Sequence, residues 1–328
     1  MKFLSTRSLR PLAAALLLCT LAACGGGGGR DEVLGFDGTA APAAPGTPAA
    51  PGTPGTPVTP VTPAVVPPVI ALASASTYGA FGGSAGVTNQ GANTVINNGA
   101  IGTTAAPTLI TGFHSATTGC VYTETPAPAA NIGNVTGGIF TAGPSPGASA
   151  ANPAGCPSDG TAATFSAAQA ARADALAAYN ALVAKPAGAA AGGGTGNLAG
   201  LTLAPGTYTS APGSFMIQGG DLTLDAQGDA NAAWIFQMAT TLTVGGPGAA
   251  FPSNVILANG AQAKNVFWQV GSAAVINAGG GGTMVGTIIS QSGAAISTAG
   301  ASSLTTINGR VLSLNASVTM VNTVINVP

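Results

Sequence analysis

The chain repeats a short apolar pattern along its C-terminal third, and this repetition constrains the fold more than any other feature. In each repeat, bulky residues lead into three small residues and then into a β-branched or aliphatic residue. Four segments align in this way: Trp234 to Val244, Val266 to Ile276, Thr287 to Ser297 and Arg310 to Met320. Repeats of roughly 20 to 50 residues are typical of solenoids, in which each unit buries its apolar side only by stacking on its neighbours.

Composition agrees with a β-rich repeat and excludes several partners. The 328 residues include 50 Gly and 24 Pro, only 5% are charged, and the formal net charge is −1. This charge balance gives no basic patch that would bind nucleic acid or another acidic surface. Glycine suits tight corners, and β-branched residues suit a pleated core. The alternative is a disordered low-complexity chain, but the periodic apolar segments argue against it beyond roughly the first 70 residues.

Residues 1–24 are a candidate lipoprotein signal peptide. Basic residues precede an apolar run from Leu12 to Ala23, which is too short to span a bilayer as a mature helix. The run ends in Leu21-Ala22-Ala23-Cys24, which resembles the bacterial lipobox. This resemblance implies that Cys24 is lipidated and anchors the protein at the outer membrane or cell surface. The alternative is an ordinary secretory signal that contains a cysteine.

Residues 25–68 form a linker rich in Gly, Pro and Thr. The run APGTPAAPGTPGTPVTPVTP favours extended polyproline II conformations and cannot build a core. From Arg30 to Pro68, about 39 residues at roughly 3 Å each would reach on the order of 100 Å from a membrane. We therefore expect a tether for a domain that acts outside the cell.

Residues 69–328 form the folded domain, interrupted by an irregular insertion at residues 112–160. The insertion contains Cys120 and Cys156, which in an exported chain most simply form a disulfide. A metal site is the alternative, but His114 is the only histidine of the chain and a fourth ligand is lacking. We expect no metal and no cofactor.

One helix is predicted at residues 166–185, with Ser166 as N-cap and Pro186 ending it. Its apolar stripe is expected to include Leu176, Tyr179, Leu182 and Val183 and to pack along the solenoid. Charged residues of this segment, namely Arg172, Asp174 and Lys185, are expected on the solvated side.

The strings LAGLTLAPGTYT, LTLDAQGDANAAWIFQ, NGAQAKNVFWQVGS and INGRVLSLNASVTM resemble the β-solenoid ice-binding (antifreeze) proteins of bacteria, fungi and diatoms. The resemblance covers the whole domain. It implies a mostly β fold: a discontinuous, right-handed β-solenoid of triangular section, with its first and last rungs together, one long helix alongside and a capping insertion. It also implies adsorption to an ice crystal surface, giving antifreeze, recrystallisation-inhibiting or ice-adhesive activity.

An ice-contacting surface should be flat, uncharged and made of small or hydroxyl side chains. Strands stacked every 4.7 to 4.9 Å or so give a regular array, in which many weak contacts act together. The small-residue windows that follow the bulky residues satisfy this requirement. Small residues also mark the corners of any β-solenoid, which is the alternative interpretation. The candidate ice-binding residues from these windows are Ser84, Thr240, Thr241, Ser272, Ser292, Asn315 and Ser317.

The remaining candidate residues are interpreted as structural. The aromatic residues Trp234, Phe236, Phe267 and Trp268 fit a core better than a sugar-stacking platform. Asp221, Asp225 and Asp229 lack a calcium-loop motif and fit corner hydrogen bonds.

No catalytic motif is present in the sequence, so we predict that the protein is not an enzyme. We also expect the protein to be a monomer. Two other functions stay open. One is a structural or adhesive cell-surface β-solenoid that does not bind ice. The other is a carbohydrate-active solenoid, which would need paired carboxylates that the repeats do not provide.

Overall fold

The computed structural model describes residues 70–122, 133–149, 152–246 and 252–328. The predicted signal peptide, Cys24 and the predicted linker lie outside these residues. The helix α1 of the described part spans Ala162–Val183. In chain order the strands are β1 (Tyr78–Gly82), β2 (Val87–Asn89), β3 (Val95–Asn97), β4 (Ala100–Gly102), β5 (Ile110–Thr111), β6 (Phe113–Ser115), β7 (Val121–Tyr122), β8 (Gly133–Val135), β9 (Ile139–Phe140), β10 (Ala189–Ala190), β11 (Thr202–Leu203), β12 (Gly206–Thr209), β13 (Phe215–Ile217), β14 (Leu222–Asp225), β15 (Trp234–Met238), β16 (Leu242–Val244), β17 (Val255–Ala258), β18 (Val266–Val270), β19 (Ala274–Ile276), β20 (Thr283–Ser290), β21 (Ala294–Ile296), β22 (Thr305–Ser313), β23 (Val318–Met320) and β24 (Thr323–Asn326).

The strands wind into a mostly β solenoid with three faces, which confirms the predicted fold class. Along most of the chain, successive strands fall on successive faces, and strands one turn apart pair in parallel. The first face, called the helix face, has the order β10-β12-β15-β18-β20-β22-β1-β4-β9. The second has the order β13-β16-β19-β21-β23-β2-β5. The third contains β11-β14-β17 and then β20-β22-β24-β3-β8-β6.

Strands β20 and β22 are long because each crosses a corner between two faces. The first half of β22 pairs with β24 on the third face, and its second half pairs with β1 on the helix face. The two long strands touch closely at this corner: a Cβ built on Gly309 would lie 1.9 Å from the carbonyl oxygen of Gly286. Glycine is therefore required at the corner.

The solenoid is discontinuous in sequence, as the resemblance implied. The first described rung, β1-β2-β3, stacks on the last rung, β22-β23-β24, and the three pairs are parallel. We call this junction the seam. Ser84 and Asn315 meet across the seam although 231 residues separate them in sequence.

The interior of the solenoid is filled by the alternate residues of each strand. Trp234, Phe236 and Trp268 are fully buried, and the rings of Phe236 and Trp268 stack with centroids 4.0 Å apart. The indole nitrogen of Trp268 donates to the carbonyl of Val285 at 2.8 Å. Phe267 points outwards from the same strand and is buried under the helix.

Helix α1 packs on the helix face, and its start differs from the prediction. Thr161 is the N-cap. Its side chain accepts from the backbone N–H of Thr164, and the two residues form a capping box. Ser166 lies inside the helix. The predicted stripe is partly wrong because Leu176 and Val183 are exposed; small residues dominate the buried side, which consists of Ala168, Ala171, Ala175, Ala178, Tyr179 and Leu182.

Arg172 and Asp174, two of the three charged residues expected on the solvated side, instead bind the rest of the fold. Arg172 donates from Nε to the carbonyl of Leu314 at 2.7 Å and from Nη2 to Asn315 Oδ1 at 3.0 Å. The carboxylate of Asp174 accepts from the backbone and the hydroxyl of Ser74. These contacts fix the helix to residues on both sides of the seam.

The repeated glutamines of the helix face also secure the helix. Gln237 Nε2 donates to the carbonyls of Leu182 and Lys185 at 2.8 and 3.0 Å, so it ties the end of the helix to the solenoid. One rung away, Gln269 Nε2 donates to the hydroxyl of Tyr179 at 2.8 Å.

The region predicted as an irregular insertion is partly regular. Strands β8 and β9 pair with β3 and β4 and therefore continue the solenoid. Strands β6 and β7 form an antiparallel hairpin beside β8. The sulfur atoms of Cys120 and Cys156 lie at disulfide distance, and the Cα atoms are 5.9 Å apart.

Candidate functional site

The second face of the solenoid presents one outward residue from each of its seven strands, and we call this row the threonine face. Each of these residues pairs in register with the next. In spatial order they are Met216, Thr243, Val275, Ala295, Thr319, Thr88 and Thr111. All seven are half-buried, and none carries a charge.

The hydroxyl groups on this face differ in availability. Those of Thr88, Thr243 and Thr319 make no hydrogen bond within the described residues, so they can contact water. The hydroxyl oxygen of Thr111 is shielded and has no partner among the described residues, so the exposed part of that side chain is its apolar part. The face therefore offers separate hydroxyl and methyl groups on one plane.

The face is regular because its strands are short, parallel and in register. Strands of a sheet lie about 4.8 Å apart, so the row of seven spans roughly 29 Å. The inward neighbours of the threonines, such as Val87, Leu242 and Val318, are fully buried and lock the strands onto the core. No described element covers this face, whereas α1 covers the helix face.

The seven predicted contact residues lie at the margin of the threonine face. Thr241 and Ser317 directly precede β16 and β23, so they flank the row. The other five lie in the corner between the helix face and the threonine face, where backbone bonds stack Thr240, Ser272 and Ser292.

Three of these corner residues are bonded to other protein atoms. Thr240 donates from its hydroxyl to the carbonyl of Gly213 at 2.9 Å, and Ser84 donates to the carbonyl of Asn315 at 3.2 Å. Asn315 donates to Gln291 and accepts from Arg172. Hydrogen bonds therefore link the corner residues of successive rungs, but Arg172 places a charge beside them.

Sequence reasoning missed the central residues Thr88, Thr243 and Thr319. The signal was present as a single threonine between two residues that alternation directs inwards, as in Leu242-Thr243-Val244. Consecutive small residues instead led to predicted contacts at the corners, because small side chains occur both at corners and on flat faces.

The third face, which we call the asparagine face, has a different chemistry. Asn97 Nδ2 donates to Asn326 Oδ1 at 2.9 Å, and Asn326 Nδ2 donates to Asn308 Oδ1 at 2.9 Å. Asp221 and Asp225 lie at its other end. A hydrogen bond from the backbone of Gln227 and another from Asn259 lower the pKa of Asp225.

The other acidic and sulfur groups act structurally. Asp221, Asp225 and Asp229 accept corner hydrogen bonds, as the sequence suggested. Burial raises the pKa of Tyr122, and its hydrogen bond to Asp159 raises it further. This pair lies beside the disulfide.

The described residues also bear on metal and membrane binding. Across these residues, no group of three or more His, Cys, Asp or Glu side chains is arranged to hold a metal ion. Among the described residues, no helix is both long enough and apolar enough to cross a membrane.

Comparisons with known proteins agree on one family. Residues 81–326 match the family model described as ice-binding-like. An ice-binding protein of Nostoc sp. is 37% identical over 127 residues, which is 38% of this chain and 41% of that protein. Ice-binding protein 1 of Shewanella frigidimarina is 42% identical over 79 residues, covering 24% of this chain and 8% of that protein. The alignments thus span less than half the length of these relatives.

Solved structures resemble the whole domain. An ice-binding protein from the Antarctic ascomycete Antarctomyces psychrotrophicus has a TM-score of 0.57 and 28% identity, over 80% of this chain and 99% of that one. An ice-binding protein from an Arctic yeast, whose structure is described as the basis of its antifreeze activity, has a TM-score of 0.58 and 26% identity, over 79% of this chain and 94% of that one.

Proposed function

The chain belongs to the ice-binding-like family, and from this premise we propose that it binds ice through the threonine face. The observation that carries the proposal is the in-register row of uncharged, half-exposed side chains whose hydroxyls at Thr88, Thr243 and Thr319 have no described protein partner. The names of the relatives, which are ice-binding proteins, support the same function.

The physical basis is the ordering of water on a rigid plane. Free hydroxyls hold water molecules by hydrogen bonds, and neighbouring methyl groups restrict water that they cannot bond. Each contact is weak, and the contacts act together because the strands fix their spacing. Mobile charged side chains would disturb this layer, and the row contains none.

The predicted contact residues belong to the margin of the proposed site. Thr241 and Ser317 widen the row by one position and are proposed as contacts. The corner residues Ser84, Thr240, Ser272, Ser292 and Asn315 form its rim, where bonds to protein leave Thr240, Ser84 and Asn315 fewer groups for water.

The asparagine face is a poorer candidate for the same role. Its amides bond to each other, so they are less available to surface water. The carboxylates of Asp221 and Asp225 would add strongly hydrated charges to any contact there.

We also propose that the protein is displayed outside the cell, held by a lipid on Cys24 and spaced by the linker of residues 25–68. The motif ending at Cys24 and the Pro-rich composition support this. The role is one of binding and not of catalysis, and the protein acts as a monomer on the ice surface. An anchored protein of this kind would attach cells to ice as well as limit crystal growth.

The test is ice-affinity partitioning of the purified protein with two matched sets of variants. Thr243→Tyr and Thr319→Tyr place a bulky ring on the threonine face, and Thr306→Tyr places the same ring on the asparagine face, where Thr306 is also half-exposed. We expect the wild type and Thr306→Tyr to enter the ice and the first two variants to be excluded.

Circular dichroism of each variant controls for folding. Exclusion of a folded wild-type protein from ice would contradict the proposal and favour the adhesive or structural β-solenoid. Loss of partitioning only in Thr306→Tyr would move the site to the asparagine face.

A further inference from the structure

The hydroxyl groups of the threonine face are unevenly spaced. Thr319 and Thr88 lie on neighbouring strands, about 4.8 Å apart across the sheet. Thr243 lies three strands away from Thr319, at roughly 14 Å. The two strands between them carry Val275 and Ala295 at the same position.

We propose that Ala295 and Val275 limit how strongly this face binds ice, because they divide its hydroxyls into two separate groups. This inference rests on the proposed function. Water bound at Thr319 has a hydroxyl within one strand spacing on the Thr88 side but only alkyl groups on the other side. Weak contacts reinforce each other only when they act on one continuous layer, so the interruption lowers the avidity of the whole row.

The backbone accepts a hydroxyl at both positions. Ala295 and Val275 are half-exposed, and their neighbours Ala294, Ile296 and Ala274 point inwards. Threonine is favoured in strands and nearly matches valine in shape. Because the new hydroxyl would face solvent, it would avoid the penalty of burying an unpaired polar group.

The position of Ala295 is the more informative of the two. It pairs directly with Thr319, so Ala295→Thr would lengthen the adjacent pair of free hydroxyls to three consecutive strands. Changing Val275 as well would connect this group to Thr243 and give hydroxyls on five consecutive strands.

The test compares the protein concentration that gives half-maximal retention on ice. Ala295→Thr adds a methyl and a hydroxyl, whereas Ala295→Val adds two methyls and no hydroxyl. Comparing the two variants therefore distinguishes an effect of added apolar surface from an effect of the hydroxyl. Val324→Thr makes a matching change on the asparagine face, where Val324 lies half-exposed in register with Thr306.

We expect Ala295→Thr to lower the half-retention concentration about two- to ten-fold, the range that one added hydrogen bond gives. Ala295→Val and Val324→Thr should match the wild type. An unchanged value for Ala295→Thr, or an equal gain in Ala295→Val, would overturn the inference. If Ala295→Thr does not fold, Val275→Thr replaces it, with the same expected direction.

The two proposals fail in different ways. A wild type that is not retained on ice removes the proposed function and this inference with it. A wild type that is retained, with an unresponsive Ala295→Thr, overturns the inference alone.

Discussion

The threonine face and the asparagine face are built on the same rungs and the same core, yet their outward side chains differ. On the asparagine face, Asn97, Asn326 and Asn308 satisfy one another. On the threonine face, Thr88, Thr243 and Thr319 have no described partner. The contrast teaches that a flat β-face is common to the scaffold, and that self-bonded amides and carboxylates distinguish the asparagine face from the uncharged threonine face.

The largest effect is predicted for a substitution in the core. It should destabilise both faces together, because they share that core. Trp268→Ala removes a fully buried ring stacked on Phe236 and a hydrogen bond to Val285. We expect the free energy of unfolding to fall by about 3–5 kcal/mol. Urea unfolding measures this, and ice retention should fall with the folded fraction.

Trp268→Phe is the control for this prediction. It keeps an aromatic ring near Phe236 and loses only part of the volume and the hydrogen bond, so it should lie between the wild type and Trp268→Ala. A Trp268→Ala protein as stable as the wild type would show that the inner ring stack does not support the two faces.

Asn326→Ala and Thr319→Val are predicted to differ in which property they lower, stability or ice retention. Asn326→Ala removes two hydrogen bonds of the asparagine face and should lower the free energy of unfolding by about 1–2 kcal/mol, with ice retention unchanged. Thr319→Val keeps the shape of the side chain but removes a free hydroxyl. It should leave stability nearly unchanged and weaken ice retention.

Both properties are measured on both proteins, by urea unfolding and by ice partitioning. The comparison fails if Asn326→Ala weakens ice retention as much as Thr319→Val does, because the two faces would then contribute alike.

The smallest predicted effect concerns pH. No residue of the threonine face row titrates, so ice retention should stay level wherever the domain is folded. The asparagine face includes Asp225, whose folded-state pKa lies below the ordinary 3.8. Its stabilising contribution is therefore present above pH 3.8 and is lost as the pH falls through the lowered pKa.

Thermal unfolding and ice partitioning across a pH series measure the two responses. We expect the asparagine face to lose some stability below pH 3.8 and ice retention to be level above it. Asp225→Asn is the control, because it removes the titrating group and keeps the side chain's size. A sharp change in ice retention between about pH 5 and 8, where carboxylates do not titrate, would contradict the assignment of the face.

The sequence predicted the scaffold better than the surface. Apolar runs around Trp234 and Trp268 identified buried strands, because a short run of bulky apolar residues is typical of a strand that is buried on both sides. The windows at Thr240, Ser272 and Ser292 are real corner stacks, but small residues do not distinguish a corner from a face. The predicted helix start was wrong because Thr161 with Thr164 competes with Ser166 as a capping signal.

The seam could not be derived from the residues themselves. The pairing of Thr88 with Thr319 joins distant parts of the chain, and nothing local to either strand specifies its partner. Only the family resemblance implied that the first and last rungs meet. The adjacency of the Thr88 and Thr319 hydroxyls therefore cannot be inferred from either strand alone.

The seam has a consequence for the order in which the protein is made. A ribosome completes Thr88 long before Thr319, since contacts across the seam join residues 231 positions apart. Until the later segment emerges, β2 has no neighbour on that side, and its exposed edge is open to pairing with other chains. The pair of threonines proposed to meet ice is therefore completed only when the final rung docks.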